Sequence, residues 1–271
     1  MSKQIRRITD KEIPKTLYKY RSWDNSFHQK ILSAQEIYFP KPSDFNDPFD
    51  GNIPIRWDKM TYEDCVQKNM EILNIMNKDK DQSLVRAHAE KVTKEKTLWH
   101  PDRLSKERPE QLDKWDSIIG LVSLTEISDS ILMWSHYASD HTGFAVGFDT
   151  NSLSLEYEFD YIEPIVYQKE YPLISGLEDT TPQFHKKFFH KSLDWKYEKE
   201  WRISKNHIQN RVVKIKKKTF KELILGCRMK EDNKQAIIKM AKKHLGSHID
   251  IYQAEKDAED FKLNITKIKY G

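Results

Sequence analysis

The sequence predicts an α+β fold: a largely antiparallel sheet lining a cleft, with one helical insertion. Short segments rich in β-branched and aromatic residues recur along most of the chain, bounded by Gly, Pro, Asn and Asp. Their mixture with helical segments gives α+β or mixed α/β, with a largely antiparallel sheet. Between 60 and 116 the composition shifts to charged, helix-favouring sequence. With 271 residues, 38% of them hydrophobic, the chain can bury a sizeable core as one α+β domain, 1–271, carrying 60–116 as the insertion.

The elements follow in order. LYKYRS (17–22) predicts a strand, NSFHQKILSAQ (25–35) a short helix, and EIYFPKP (36–42) a strand that Pro40 and Pro42 stop or confine to an edge. FNDPFD (45–50) predicts a turn, because Asn and Asp bond their own backbone and Pro48 fixes φ; Asp47 or Asp50 could also face a ligand or pair with Arg21 or Arg202. Thr61 and Asp64 cap a helix whose apolar positions are Val66, Met70 and Leu73, and a second helix places Val85, His88, Val92 and Leu98 near one face. IGLVSLTE (119–126) predicts a strand, and SDSILMWSHYAS (128–139) a buried helix capped by Ser128 or Asp129. GFAVGFD (143–149) and EPIVYQ (163–168) predict strands, and Thr181-Pro182 opens a helix reaching Leu193. Lys191, near that helix end, suits either a phosphate contact or a favourable charge at the C-terminus. Strands are expected at 195–204, 212–217, 222–226, 249–254 and 262–268, with a helix over 232–245 closed by Gly246.

Composition removes several function classes. Lys and Arg number 46 against 42 Asp and Glu, a net charge of +4 that permits an anionic partner without requiring one. Cys65 and Cys227 have neither disulfide-scaffold nor zinc spacing, and the pairs His136/His141 and His185/His190 are five apart, about 140° around a helix, so no metal is expected. Phosphate-binding Gly loops and a Gly-x-Ser-x-Gly elbow are absent. No apolar run reaches the ~18 residues of a membrane span and the start lacks a signal-peptide core, so a cytoplasmic protein with no membrane partner is expected.

WKYEKEWRIS (195–204) survives this sieve. On a strand, Glu198 and Glu200 share a face, and two close carboxylates raise the pKa of at least one. Plain charge alternation on a solvated strand also explains the pattern; the framing aromatics Trp195, Tyr197 and Trp201, together with Arg202, favour a ligand-facing pair. In MWSHYA (133–138), Trp134, His136 and Tyr137 suit either core packing or ligand contact.

LYKYRS, IYFPKPSDFNDPFD (37–50), ILMWSHYASDHTGFAVGF (131–148) and WKYEKEWRI resemble the signature blocks of a bacterial family of uncharacterised domains. The chain also resembles ADP-ribosyltransferases of the Arg-Ser-Glu type, which carry an Arg on the first strand of a split sheet, a Ser-x-Ser/Thr on a later strand and a Glu-x-Glu further on. Arg21, Ser123-Leu124-Thr125 and Glu198-Lys199-Glu200 stand in that order. That resemblance implies NAD as substrate, with Arg21 on its phosphates and Ser123 on the nicotinamide-side ribose. Glu200 would hold the ribose 2′-hydroxyl and Glu198 would act on a protein or nucleic-acid acceptor. Tyr18, Tyr20, Trp134 and Tyr137 would flank the nicotinamide, with Thr125, His136 and Arg202 completing the NAD-binding set. The competing class is a non-catalytic nucleic-acid or nucleotide binding module, including one serving a bacterial defence or toxin system, because Lys19, Arg21, Trp23, Lys41, Trp201 and Arg202 interleave bases with aromatics.

Overall fold

The computed structural model describes residues 12–56, 59–76, 81–96 and 112–268. They divide into two units, one drawn from Met1–Lys41, Ile118–Ile165 and Leu193–Gly271, the other from Pro42–Ser117 and Val166–Ser192. The fold is mixed α+β with a mostly antiparallel open sheet.

In the first unit the strands are β1 (Thr16–Arg21), β2 (Glu36–Tyr38), β3 (Ile119–Thr125), β4 (Phe144–Asp149) and β5 (Tyr161–Pro164). The second unit holds β6 (Val166–Gln168) and β7 (His190–Ser192), and the first unit resumes with β8 (Glu200–Asn206), β9 (Val212–Lys214), β10 (Phe220–Leu225), β11 (Asp250–Lys256) and β12 (Leu263–Lys267). Eight of them form one sheet in the order β12-β11-β10-β4-β1-β3-β8-β5; β10 and β11 are parallel and the other pairs antiparallel. The four strands expected to share a sheet system, at 17–22, 119–125, 143–148 and 199–204, are four adjacent members of it.

The sheet is unevenly zipped. β1 registers with β4 from Thr16↔Asp149 to Arg21↔Phe144, and β3 with β8 from Ile119↔Asn206 to Thr125↔Glu200. β1 and β3 register only at Tyr18↔Thr125. Beyond that pair their backbones do not continue the ladder, and side chains of β1 face a seam inside the sheet.

The helices with both ends among the described residues are α1 (Ser26–Ser33), α2 (Tyr62–Met76), α3 (Gln82–Lys96), α4 (Ile131–Tyr137), α5 (Thr150–Glu156), α6 (Thr180–Phe188) and α7 (Glu231–Leu245), and residues 112–118 are also helical. On one sheet face Leu17, Val122, Leu124, Phe144, Val146, Trp201 and Ile203 pack with Ile31 and Leu32 of α1 and Ile237, Ala241 and Leu245 of α7. On the other, Tyr20, Ala145 and Ile224 pack under Met133 and Trp134 of α4. Period-2 burial therefore puts apolar side chains on both faces of the central strands, which read as near-continuous hydrophobic runs.

In the second unit the α2–α3 hairpin starts with the expected box: the Thr61 amide donates to Asp64 Oδ2 (2.7 Å) and the Asp64 amide to Thr61 Oγ1 (3.2 Å). Leu98 lies outside the described residues. The FNDPFD turn is built as expected, with the Phe49 amide donating to Asp47 Oδ1 at 2.9 Å. Asp50 lies 3.8 Å from Lys191, and both are buried.

Several boundaries differ from expectation. EPIVYQ is two strands, β5 and β6, because the chain leaves β8 at Ile165 and pairs with β7 instead. The helix opened at Thr180 ends at Phe188, and Ser130 rather than Ser128 or Asp129 caps α4. Residues Leu193–Glu198 form a 3-10 helix, so the strand expected over 195–204 begins only at Glu200.

Gly143, at the entry to β4, controls how closely that strand approaches β1. A Cβ there would stand 2.2 Å from the Arg21 carbonyl oxygen and 2.9 Å from that of Ala138, both backbone atoms that cannot swing away. Gly143→Ala is expected to lower stability by about 1–3 kcal/mol, the range for forced overpacking. A urea melt showing an unchanged midpoint would mean that the β1–β4 approach is not tight in solution.

Candidate functional site

Three adjacent strands carry the Arg, Ser and Glu of the sequence pattern: Arg21 ends β1, on the face of Phe144 and Val146, while Ser123 lies mid-β3 and Glu200 opens β8, both on the opposite face. Lys19 links them. Its Nζ donates to the Ser123 carbonyl at 2.5 Å, across the gap where the ladder stops. Burial holds its pKa well below the usual lysine value, the neighbouring Arg21 charge adds to that, and the charges of Glu200 and Glu198 oppose it. Burial likewise pulls the Arg21 guanidinium down to about 10.

The charges at this seam are unequally matched. Arg202 is fully buried and donates from Nε (2.8 Å) and Nη2 (2.7 Å) to Oε1 of Glu200, which is also buried. Directly across from Arg202 on β5 is Glu163, buried as well. Lys19 and Arg21, by contrast, form no ion pair among the described residues; the side-chain bond of Arg21 goes to its neighbour's carbonyl, Tyr20 O, at 3.4 Å. Both are partly exposed, and the partly exposed Ser123 hydroxyl makes no hydrogen bond among the described residues. Two desolvated cations and an uncommitted hydroxyl favour an anion that also carries a hydroxyl or carbonyl oxygen.

The Glu-x-Glu pair is not held by strand alternation. Glu198 ends the 3-10 helix, Lys199 adopts the left-handed region (φ 42°), and Glu200 starts β8. A non-Gly residue there costs roughly 1 kcal/mol, so the surroundings must fix it. Thr125 does so: its Oγ1 donates to the Glu198 carbonyl at 2.6 Å, and the Glu198 carboxylate accepts from the Tyr137 hydroxyl at 2.5 Å. Thr125 and Tyr137 thus act on Glu198 itself.

Tyr20 and Trp134 are buried, meet edge-to-face at 5.1 Å, and donate to the carbonyls of Ile127 (3.1 Å) and Ser128 (2.8 Å). Their rings are committed to packing between α4 and the sheet, so neither faces a ligand as the resemblance implies. Tyr18 donates to Glu222 Oε2 at 2.8 Å, towards β10. The aromatic surface beside Glu198 is instead exposed His136 and half-buried Tyr197, 6.1 Å apart, with half-buried Trp195 6.1 Å beyond Tyr197. Lys19 and Tyr197 are the two residues that sequence reasoning left out of the catalytic and NAD-binding set. Lys19 alternates with core positions and shows its role only through the missing ladder; Tyr197 shows its role only through the turn at Lys199. Among the described residues no three His, Cys, Asp or Glu side chains converge as metal ligands would, and no helix is long and apolar enough to cross a membrane.

A family model described as "Protein of unknown function (DUF2971)" matches residues 133–203. The match takes in most of α4, β4, β5, Glu198, Glu200 and Arg202, while LYKYRS and FNDPFD lie outside it. Neither the curated proteins nor the solved structures give a match.

His28 of α1 reports on the seam. Its Nδ1 accepts from the Ser22 amide at 3.2 Å, and burial followed by the Arg21 and Lys19 charges lowers its pKa to about 4. A folded pKa below the unfolded value of about 6.5 means that the unfolded chain takes the proton first, so stability present above that pH is lost as pH falls towards 4. Melting temperatures between pH 7 and 4 are expected to fall more steeply in the wild type than in His28→Gln. Parallel curves would place His28 outside the field of the two cations.

Proposed function

We propose that the chain is an ADP-ribosyltransferase-like enzyme that cleaves the nicotinamide–ribose bond of NAD and transfers ADP-ribose to a protein or nucleic-acid acceptor. The observation that carries this reading is the pair of cations, Lys19 and Arg21, that have no carboxylate partner among the described residues and lie on the strand next to Ser123. A pyrophosphate would supply the two negative charges that the fold withholds from them. Ser123, one strand over, would meet the adjoining ribose.

In the reaction the C1′–N1 bond breaks, nicotinamide leaves with the electron pair, and positive charge grows on the ribose until the acceptor's lone pair forms the new bond. Glu200 suits the stabilising role because its bond to Arg202 holds the carboxylate in place, and the step needs a fixed negative charge rather than a base. Glu198, held by Tyr137, would take the acceptor's proton. Tyr197 and His136 offer the flat surface that the leaving nicotinamide needs, in place of Tyr20 and Trp134.

A second reading, non-catalytic nucleotide or nucleic-acid binding, is favoured by the same Arg202–Glu200 bond, since it commits a Glu200 oxygen within the protein. The two readings separate by measurement. NAD is expected to raise the melting temperature of the wild type and to raise it less in Arg21→Ala. Glu200→Gln should leave NAD binding nearly intact while cutting nicotinamide release by roughly 10²–10³, and Glu198→Gln should suppress transfer to acceptors in lysate more than slow NAD hydrolysis. Melting curves show whether Glu200→Gln, which removes the charge that Glu200 sets against buried Arg202, still folds. NAD binding without nicotinamide release under any acceptor condition would select the binding reading; stabilisation by single-stranded nucleic acid and not by NAD would overturn NAD as the ligand.

A further inference from the structure

The loop between α4 and β4 is shaped in a way that the seam does not explain. Ser139, Asp140 and His141 are three successive non-glycine residues in the left-handed region, with φ of 45°, 50° and 69°. Such residues cost about 1–2 kcal/mol each, so the loop must be held by its neighbours. The turn after β10 holds it: the Gly226 amide donates to the Gly143 carbonyl (2.9 Å) and the Arg228 amide to that of His141 (3.0 Å). Gly226 is required there, because a Cβ would stand 2.2 Å from the His141 carbonyl oxygen.

The result is a fixed chain of three side chains. Cys227 Sγ lies 3.7 Å from Nδ1 of His141, and His141 Nε2 lies 3.0 Å from the Ser135 hydroxyl. All three line a cavity of about 550 Å³. Its wall carries the cations Arg228 and Lys256, which form no ion pair among the described residues, together with the acids Asp140 and Glu259, while Lys262 is paired with Asp260 (2.9 Å) and Asp257 (3.5 Å).

We propose that Cys227, His141 and Ser135 form a second, covalent site: a thiol nucleophile, its imidazole base and the hydroxyl that orients that base, open to an acyl donor carrying a negative charge. The arrangement meets the geometric requirement for an activated nucleophile, a base within reach and a third group fixing the base. Arg228 and Lys256 would supply the selection for an anion, set against Asp140 and Glu259 on the same wall. Burial and the Arg228 charge lower the His141 pKa, against Asp140, so the imidazole is neutral and able to accept a proton at pH 7. Burial raises that of Cys227, against a backbone hydrogen bond and the Lys256 and Arg228 charges, so both groups rest neutral and the thiol is a weaker acid than a free one; the reach of Nδ1, not the resting charge, is what would activate it.

The step balances on these groups alone with water. As Sγ bonds the carbonyl carbon, the thiol proton passes to His141 Nδ1. The bond to the leaving group breaks, that group departs with the electron pair, and Nδ1 returns the proton to it. Water then attacks the thioester, His141 takes its proton and returns it to sulfur as the S–C bond breaks. The products are a carboxylic acid and the protonated leaving group.

The test uses the full chain with two active esters, the anionic mono-4-nitrophenyl succinate and the neutral 4-nitrophenyl acetate, read by nitrophenolate release and intact mass. A burst with a transient adduct on Cys227, larger for the succinate, is expected, with buried Cys65 unlabelled. Cys227→Ala should abolish the burst. At pH 7, His141→Gln should slow acylation roughly 10²-fold, the low end for a lost general base, with the rate recovering as pH rises and the thiol ionises by itself. Because His141→Gln could disturb its strained loop, Ser135→Ala, on the helix, provides the second variant; it should slow acylation and retain the wild-type melting temperature. The double variant Arg228→Ala/Lys256→Ala should remove the preference for the succinate. Cys227 acylated no faster than free glutathione, or at equal rates in the wild type and both base-side variants, would make it a packing thiol and overturn the proposal.

Discussion

A cation inside a sheet must find a counter-charge, a ring of acceptors or a path to water, and Lys19 and Arg21 have only part of each. Their strand leaves β3 after one registered pair, so backbone carbonyls that would have closed a ladder remain, and one of them, Ser123 O, accepts from Lys19. On its other side β1 is held fast by six registered pairs to β4, an approach that only a glycine at 143 allows. The seam therefore cannot close by sliding β1 towards β3. The charge that is unmatched among the described residues thus sits on a strand registered along its whole length on one side.

The charges beyond β3 are treated differently. Arg202 and Glu200 are fully enclosed and bonded to each other on one strand face, an arrangement that is stable as a pair and costly to break singly. That pair fixes where β8 starts. The turn at Lys199 then delivers Glu198 to Tyr137 and Thr125, so both carboxylates are immobilised although they belong to different backbone conformations. Neighbouring strands therefore differ: the Arg202–Glu200 charges are paired, while Lys19 and Arg21 form no ion pair among the described residues.

Much of the fold was legible from local signals. The cap at Thr61, the Asn-Asp-Pro turn at 46–48 and the apolar runs of β1, β3, β4 and β10 each state their own conformation, and the structure adopts it. The placement of Arg21, Ser123 and Glu200 on adjacent strands agrees with their order in the sequence pattern. What local signals do not contain is the partner across the sheet. WKYEKEW alternates like a strand, yet Leu193–Glu198 coils because Thr125 and Tyr137, both more than fifty positions away, capture Glu198. Tyr20 and Trp134 are aromatic in a motif rich in site candidates, but α4 lies on the sheet and consumes their surfaces. Lys19 looks like one more surface lysine until the gap beside it is known.

The central claim is that the β1–β3 seam is the anion site. A crystal structure of the protein soaked with ADP-ribose tests it most directly. The account predicts pyrophosphate oxygens within hydrogen-bond distance of Lys19 and Arg21 and a ribose hydroxyl at Ser123. Ligand bound elsewhere with the seam unchanged, or carboxylate side chains closing on Lys19 and Arg21 in its place, would contradict it.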